Sequence, residues 1–97
     1  MLRITYDNSP QATVLKLEGR LAGLWVDEVA RTWFDAIGDK PAKGVRVDLS
    51  DVTYVDSEGK KLLRWLYERG AKLTSGHLMT KYIVDQVVKE VSRHNNA

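Results

Sequence analysis

The chain has 97 residues, which is enough for one hydrophobic core, and we expect a single domain over residues 1–97 without a deep catalytic cleft. Its 15 basic and 13 acidic residues are scattered along the chain and leave a net charge of +2, so no basic face for nucleic acid is indicated. Cysteine is absent, which excludes disulfides, thiolate catalysis and cysteine-based zinc sites. With no signal-peptide start and no apolar run of about 20 residues, the sequence predicts a cytoplasmic protein that does not insert into membranes.

The first part of the chain predicts two strands and a helix. Residues 2–6 alternate apolar and polar, residues 7–11 are rich in turn formers, and residues 13–20 alternate again. These two strands should pair as an antiparallel hairpin. Over residues 24–37 the apolar positions recur every three or four residues, which predicts an amphipathic helix ended by Gly38.

The second part predicts two more strands and two more helices. Residues 44–49 alternate as a strand and residues 51–55 continue as extended chain; because a helix precedes them, this strand should run parallel to an earlier one. A helix is predicted over residues 57–69, a short strand over 71–74 and a last helix over 79–93.

The start of the helix at residue 57 carries the most chemical information. A side-chain oxygen of Asp56 or Ser57 can cap the free backbone N–H groups of the first turn. Those N–H groups and the nearby Lys60 and Lys61 would also favour a phosphate on Ser57. Ser57 is therefore a candidate phosphorylation site, and the plainer alternative is that it only caps the helix.

Residues 48–59, D-L-S-D-V-T-Y-V-D-S-E-G, together with L-E-G-R-L at 17–21 and G-A-K-L at 70–73, resemble the STAS domain of bacterial anti-sigma-factor antagonists. The resemblance implies a mixed four-stranded sheet with three helices mainly on one face, and a regulatory protein with no catalytic residues and no cofactor. It also implies that Ser57 accepts a phosphoryl group from a kinase that sequesters a sigma factor, with Asp56 orienting the serine. The unphosphorylated protein would bind that kinase and free the sigma factor.

The sequence departs from the usual family motif at two positions. The motif has Ser or Thr after the D-S pair and Leu or Val after the glycine, whereas this chain has Glu58 and Lys60. The Glu58 carboxylate would repel a phosphate on Ser57 by about 1 kcal/mol in water. These departures suit an alternative, in which the chain is a non-phosphorylated accessory subunit, for example of an ABC-type lipid transport ATPase.

A docking surface for the protein partner is predicted around the same helix. Part of the aromatic stripe on the first helix, which includes Trp25, Trp33 and Phe34, could also be exposed and used for a partner or a homodimer. The residues expected to support the phosphosite and form the partner interface are Asp56, Glu58, Gly59, Lys60, Lys61 and Trp65.

Other chemistries are not indicated by the sequence. His77 and His94 lack the spacing of metal ligands, so no metal site is predicted. Gly59 and Lys60 are not part of a phosphate-binding loop, because Tyr54 stands where that motif needs a glycine. Ser57 is not surrounded by the G-x-S-x-G turn of a hydrolase.

Overall fold

Strands and helices alternate along most of the chain in the computed structural model. The structure describes residues 1–10, 12–38 and 44–95, with only the backbone of residues 94 and 95. The strands are β1 (Leu2–Asn8), β2 (Thr13–Leu21), β3 (Val45–Val55) and β4 (Lys72–Thr74). The helices are α1 (Leu24–Ala36), α2 (Ser57–Glu68) and α3 (Leu78–Asn95).

The four strands form one mixed sheet in the order β1-β2-β3-β4. β1 is antiparallel to β2, whereas β2, β3 and β4 are parallel to one another. The predicted antiparallel hairpin, the parallel third strand and the mixed four-stranded sheet are thus confirmed. Because the parallel strands end at the same edge of the sheet, the three turns that begin α1, α2 and α3 gather at that edge.

The helices pack on one face of the sheet, as predicted, and the hydrophobic core lies between them and the strands. Alternate strand residues point into this core, for example Leu15 and Leu17 of β2, which are almost completely buried. The helices meet them with buried side chains that recur at helical spacing. The helix residues of this core are Val26, Val29, Trp33, Leu63, Leu66 and Val87.

The opposite face of the sheet carries polar side chains between the buried positions. Lys16 of β2 forms an ion pair with Asp51 of β3 at 3.2 Å. On β3, the carboxylate of Asp48 accepts hydrogen bonds from the hydroxyl and the backbone N–H of Ser50, and these bonds lower the pKa of Asp48. This face is therefore stabilised by local polar pairs instead of by a covering helix.

The sequence prediction was wrong about where β1 ends. Asp7 and Asn8 were expected in a turn, but they pair with Val14 and Thr13 and extend the strand to Asn8. The Thr13 hydroxyl also donates to the Asn8 side chain at 2.8 Å. Pairing with β2 therefore overrides the turn preference of these residues, and the turn begins at Ser9; the predicted turn residue Gln11 lies outside the described residues.

Candidate functional site

The Asp56 side chain holds the start of α2 and the start of α1 together. One of its carboxylate oxygens accepts a hydrogen bond from the backbone N–H of Gly59 at 2.7 Å, which makes Asp56 the N-cap of α2. The other accepts from the backbone N–H of Gly23, just before α1, at 2.9 Å. The hydrogen bonds from the backbone N–H groups lower the pKa of Asp56, with the bond from Gly23 as the larger cause and the bond from Gly59 as the next. Of the two caps that the sequence allowed, the structure uses Asp56.

Gly59 is buried where α2 crosses the end of β2. A Cβ atom added at Gly59 would lie 2.5 Å from the carbonyl oxygen of Leu21. The same carbonyl accepts a hydrogen bond from the backbone N–H of Asp56 at 3.1 Å. Gly59 was predicted to support the phosphosite and the partner interface; in the structure its lack of a side chain lets α2 approach β2.

Ser57 is the first residue of α2 and its side chain is exposed. It lies at one end of a shallow groove of about 270 Å³ between α2 and α3. The α2 residues that line this groove recur at intervals of three and four, which places them on one side of the helix. The groove is lined by Ser57, Lys60, Lys61, Arg64 and Glu90.

The charged side chains around Ser57 are paired with one another. Lys60 forms an ion pair with Glu90 of α3 at 3.1 Å, and Lys61 forms one with Glu58 at 3.2 Å. Glu58 was expected to repel a phosphate on Ser57. Its pairing with Lys61 offsets part of that repulsion, because an opposite charge lies 3.2 Å from the carboxylate.

An exposed apolar surface adjoins the Asp56 turn, and of its side chains sequence reasoning anticipated Trp25 but missed Leu24. Leu24 is 82% exposed and Trp25 is 37% exposed, although both begin an amphipathic helix. With Met1 and Arg20 they line a cavity of about 480 Å³, which Gly23 also borders. The sequence did carry a signal for the exposure of Leu24. This leucine directly follows Gly23 at the start of the helix and lies outside the four-residue repeat of the buried positions.

Trp65 lies on the side of α2 that contacts α1. Its ring packs edge-on against Trp33 with the centroids 6.4 Å apart, and lies 5.6 Å from the ring of Phe34. The guanidinium of Arg69 lies 5.0 Å from the Trp65 ring. Trp65 is therefore half-buried in an aromatic cluster, separate from the groove beside Ser57.

The aromatic stripe of α1 is divided between core and surface. Trp33 is completely buried, whereas Phe34 is 49% exposed and Trp25 lies on the apolar surface described above. The prediction that part of this stripe is exposed is confirmed by these side chains.

The described residues give no indication of a metal site or a membrane span. Among them, no three His, Cys, Asp or Glu side chains are grouped so that they could hold a metal ion, and the side chain of His94 lies outside the description. The His77 ring instead makes a 2.7 Å hydrogen bond with the backbone carbonyl of Val52. None of the helices, as far as they are described, is both long and apolar enough to span a bilayer.

Comparison with solved structures identifies the fold of the chain. No protein-family model matches the sequence, and no curated protein matches it either. The crystal structure of an anti-sigma factor antagonist from Mycobacterium paratuberculosis superposes with a TM-score of 0.78, over 95% of this chain and 82% of that one, at 16% identity. The chain has the fold of an anti-sigma factor antagonist.

Two further structures match the chain with lower TM-scores, and the first of them supports this assignment of the fold. An uncharacterised protein of the DUF3478 family from Shewanella loihica, described as having a SpoIIAA-like fold, matches with a TM-score of 0.55 at 10% identity, over 84% of this chain and 72% of that one. A structure of Mglu matches with a TM-score of 0.57 at 18% identity, over 76% of this chain and 19% of that one. The resemblance to the STAS fold that the sequence indicated is confirmed at the level of architecture.

Proposed function

We propose that this chain is a regulatory protein-binding module that docks onto a kinase-type anti-sigma factor through the start of α2. The observation that carries the proposal is the exposed hydroxyl of Ser57 directly after the capping carboxylate of Asp56, at the edge of a sheet with this fold. Phosphorylation of Ser57 would end the docking, because it adds about −1.5 to −2 charges at the contact surface.

The phosphorylation step needs a partner enzyme and a nucleoside triphosphate. The Ser57 oxygen would attack the terminal phosphorus, a new oxygen–phosphorus bond would form, and the bond to the bridging oxygen would break to release the nucleoside diphosphate. The hydroxyl proton would pass to a base of the kinase. Asp56 is poorly suited to be that base, because both of its oxygens accept N–H bonds and its pKa is lowered. Its proposed role is to hold the turn that presents Ser57.

The docking surface that we propose includes the neighbouring apolar side chains. Leu24 and Trp25 are the first residues of α1 and directly follow Gly23, whose backbone N–H Asp56 joins to the Ser57 turn. Tryptophan side chains such as Trp25 often supply much of the binding energy in protein interfaces, and an exposed leucine beside one adds apolar area that a partner can bury. A partner that covers Ser57 would thus also contact Leu24.

Incubation with the cognate kinase and ATP tests the switch. The expected result is a mass gain of one phosphoryl group on the wild-type chain and none on Ser57→Ala, with Ser92→Ala as a matched control that is still modified. Binding of the kinase should be retained by Ser57→Ala and lost on phosphorylation. No mass gain, together with binding by Ser57→Asp equal to that of the wild-type chain, would overturn the switch.

A second candidate function is supported by the ion pairs beside Ser57. Because Lys60 and Lys61 already pair with acidic side chains of this chain, their charges have partners without an added phosphate. This suits a constitutive subunit of a multiprotein complex such as an ABC-type lipid transport ATPase. Affinity capture from the native cells separates the two, since one predicts an anti-sigma kinase and the other a transport ATPase.

A further inference from the structure

A single carboxylate of α3 connects that helix to the basic side of α2. Glu90 pairs with Lys60 at 3.1 Å through one oxygen and lies 3.8 Å from a guanidinium nitrogen of Arg64 through the other. Arg64 has a second acidic partner on its own helix, Glu68, at 3.0 Å. Lys60 is therefore the closer of the two cations to Glu90, and their ion pair links the two helices.

Ser57 lies on the same side of α2 as Lys60 and Lys61, three and four residues before them. One helical turn rises about 5.4 Å, so a phosphoryl group on Ser57 lies within reach of both ammonium groups. A phosphate carries more charge than a carboxylate and offers three acceptor oxygens. Since it is attached to the same helix, it competes with Glu58 and Glu90 without the entropic cost of bringing a free anion to the site.

The two competitions have different structural consequences. Loss of the pair between Lys61 and Glu58 stays within α2, because both side chains belong to that helix. Loss of the pair between Lys60 and Glu90 reaches α3.

We propose that the phosphoryl group of Ser57 takes Lys60 from Glu90 and so breaks the ionic link between α2 and α3. This inference rests on Ser57 being the phosphoacceptor of the proposed function. It extends the effect of the modification from the docking surface to the C-terminal half of α3, whose exposed side would then differ between the two states.

The test installs phosphoserine at position 57 during synthesis, so that its outcome does not depend on finding a kinase. In the unmodified chain, Glu90→Gln should lower the Tm by about 2–4 °C, as expected for loss of a surface ion pair in a domain of this size. In the phosphoserine chain the same substitution should lower the Tm by less, because Glu90 has already lost Lys60 and keeps only its longer contact with Arg64. The matched control is Glu28→Gln, which removes the ion pair with Arg31 on α1 and should lower the Tm equally in both chains.

Hydrogen exchange of the α3 amides near Glu90 gives a second measurement that does not require the modified chain to be stable. Lys60→Gln removes the ammonium group without adding a phosphate, and should speed exchange there relative to wild type, whereas Lys61→Gln should not. An equal effect of Glu90→Gln in both chains, or unchanged α3 exchange in Lys60→Gln, would overturn the proposal. A kinase that fails to modify Ser57 would count against the proposed function alone.

Discussion

The carboxylate of Asp56 and the backbone N–H of Gly23 form a 2.9 Å hydrogen bond across 33 residues of sequence. Asp56 also caps α2 through Gly59, so one side chain positions the first turns of two helices. Ser57 follows directly on one side, and Leu24 follows Gly23 on the other. The two exposed parts of the proposed docking surface therefore have a fixed relative position.

Acid should destabilise the fold through Asp56 and Asp48. Their pKa values are lowered in the folded chain, Asp56 by the N–H groups of Gly23 and Gly59, and Asp48 by the hydroxyl of Ser50. The stabilisation is complete above the unfolded pKa of about 3.9 and is lost as the pH falls through the lower folded pKa. Urea denaturation at a series of pH values should show this fall below about pH 4.

The variant Asp56→Asn tests the contribution of that residue to the acid dependence. It should be less stable than wild type at neutral pH, because asparagine offers one acceptor oxygen where Asp56 uses two. Its stability should also change less between about pH 5 and pH 2. An acid dependence identical to that of wild type would contradict the assignment.

Gly59→Ala should destabilise the fold. Helix propensity alone predicts a gain of about 1 kcal/mol for this change. The added Cβ would instead lie 2.5 Å from the Leu21 carbonyl oxygen, and overpacking of this kind typically costs about 1–3 kcal/mol. Ser57→Ala, in the same turn but exposed, should change the free energy of unfolding by less than about 0.5 kcal/mol. A stabilised Gly59→Ala variant in chemical denaturation would show that α2 does not lie this close to β2.

Two tryptophans of α1 should differ sharply in their contribution to stability. Trp33 is completely buried, so Trp33→Ala should lower the free energy of unfolding by about 3–5 kcal/mol. Trp25 is 37% exposed, and Trp25→Ala should cost roughly 1 kcal/mol or less. Should Trp33→Ala fail to fold, Trp33→Phe gives a milder test. Trp33→Phe should lower the free energy of unfolding by less than Trp33→Ala does. The buried indole nitrogen has no hydrogen-bond partner among the described residues, so its removal breaks no hydrogen bond there.

Leu24→Ser should weaken partner binding without weakening the fold. Leu24 is 82% exposed, and a central apolar contact of an interface is worth about 2 kcal/mol, or roughly 30-fold in Kd. Leu78→Ser is the matched control, because Leu78 is 85% exposed and also begins a helix. Titration calorimetry with the captured partner measures both, and equal affinities for the two variants would remove Leu24 from the docking surface.

Periodicity in the sequence was enough to predict the elements and the side of each strand that is buried. Leu15 and Leu17 alternate with charged residues and are buried as expected, and the repeat through Val29 and Trp33 places α1 on the sheet. The resemblance over residues 48–59 supplied the mixed sheet with helices mainly on one face, whereas the strand order was not predicted and comes from the structure. Predictions failed where pairing between strands decided the outcome, as at Asn8, whose turn preference is weaker than its bonds to β2.

The site was predicted less completely, because its geometry depends on contacts between distant residues. An exposed Ser57 after a helix cap follows from local sequence. The bond from Asp56 to Gly23 and the ion pair from Lys60 to Glu90 need the packed fold. Likewise, nothing local indicates that Trp65 packs against α1.

The close approach of Gly59 to Leu21 bears on when the serine can be recognised. An isolated peptide around Ser57 would lack the Leu21 carbonyl of β2 and the N–H of Gly23. It would therefore lack the contacts that hold the turn at Asp56 and Ser57 in place. An enzyme that recognises this turn by its shape would modify the folded protein and would not modify chains still emerging from the ribosome. Completion of folding would then be a precondition for regulation.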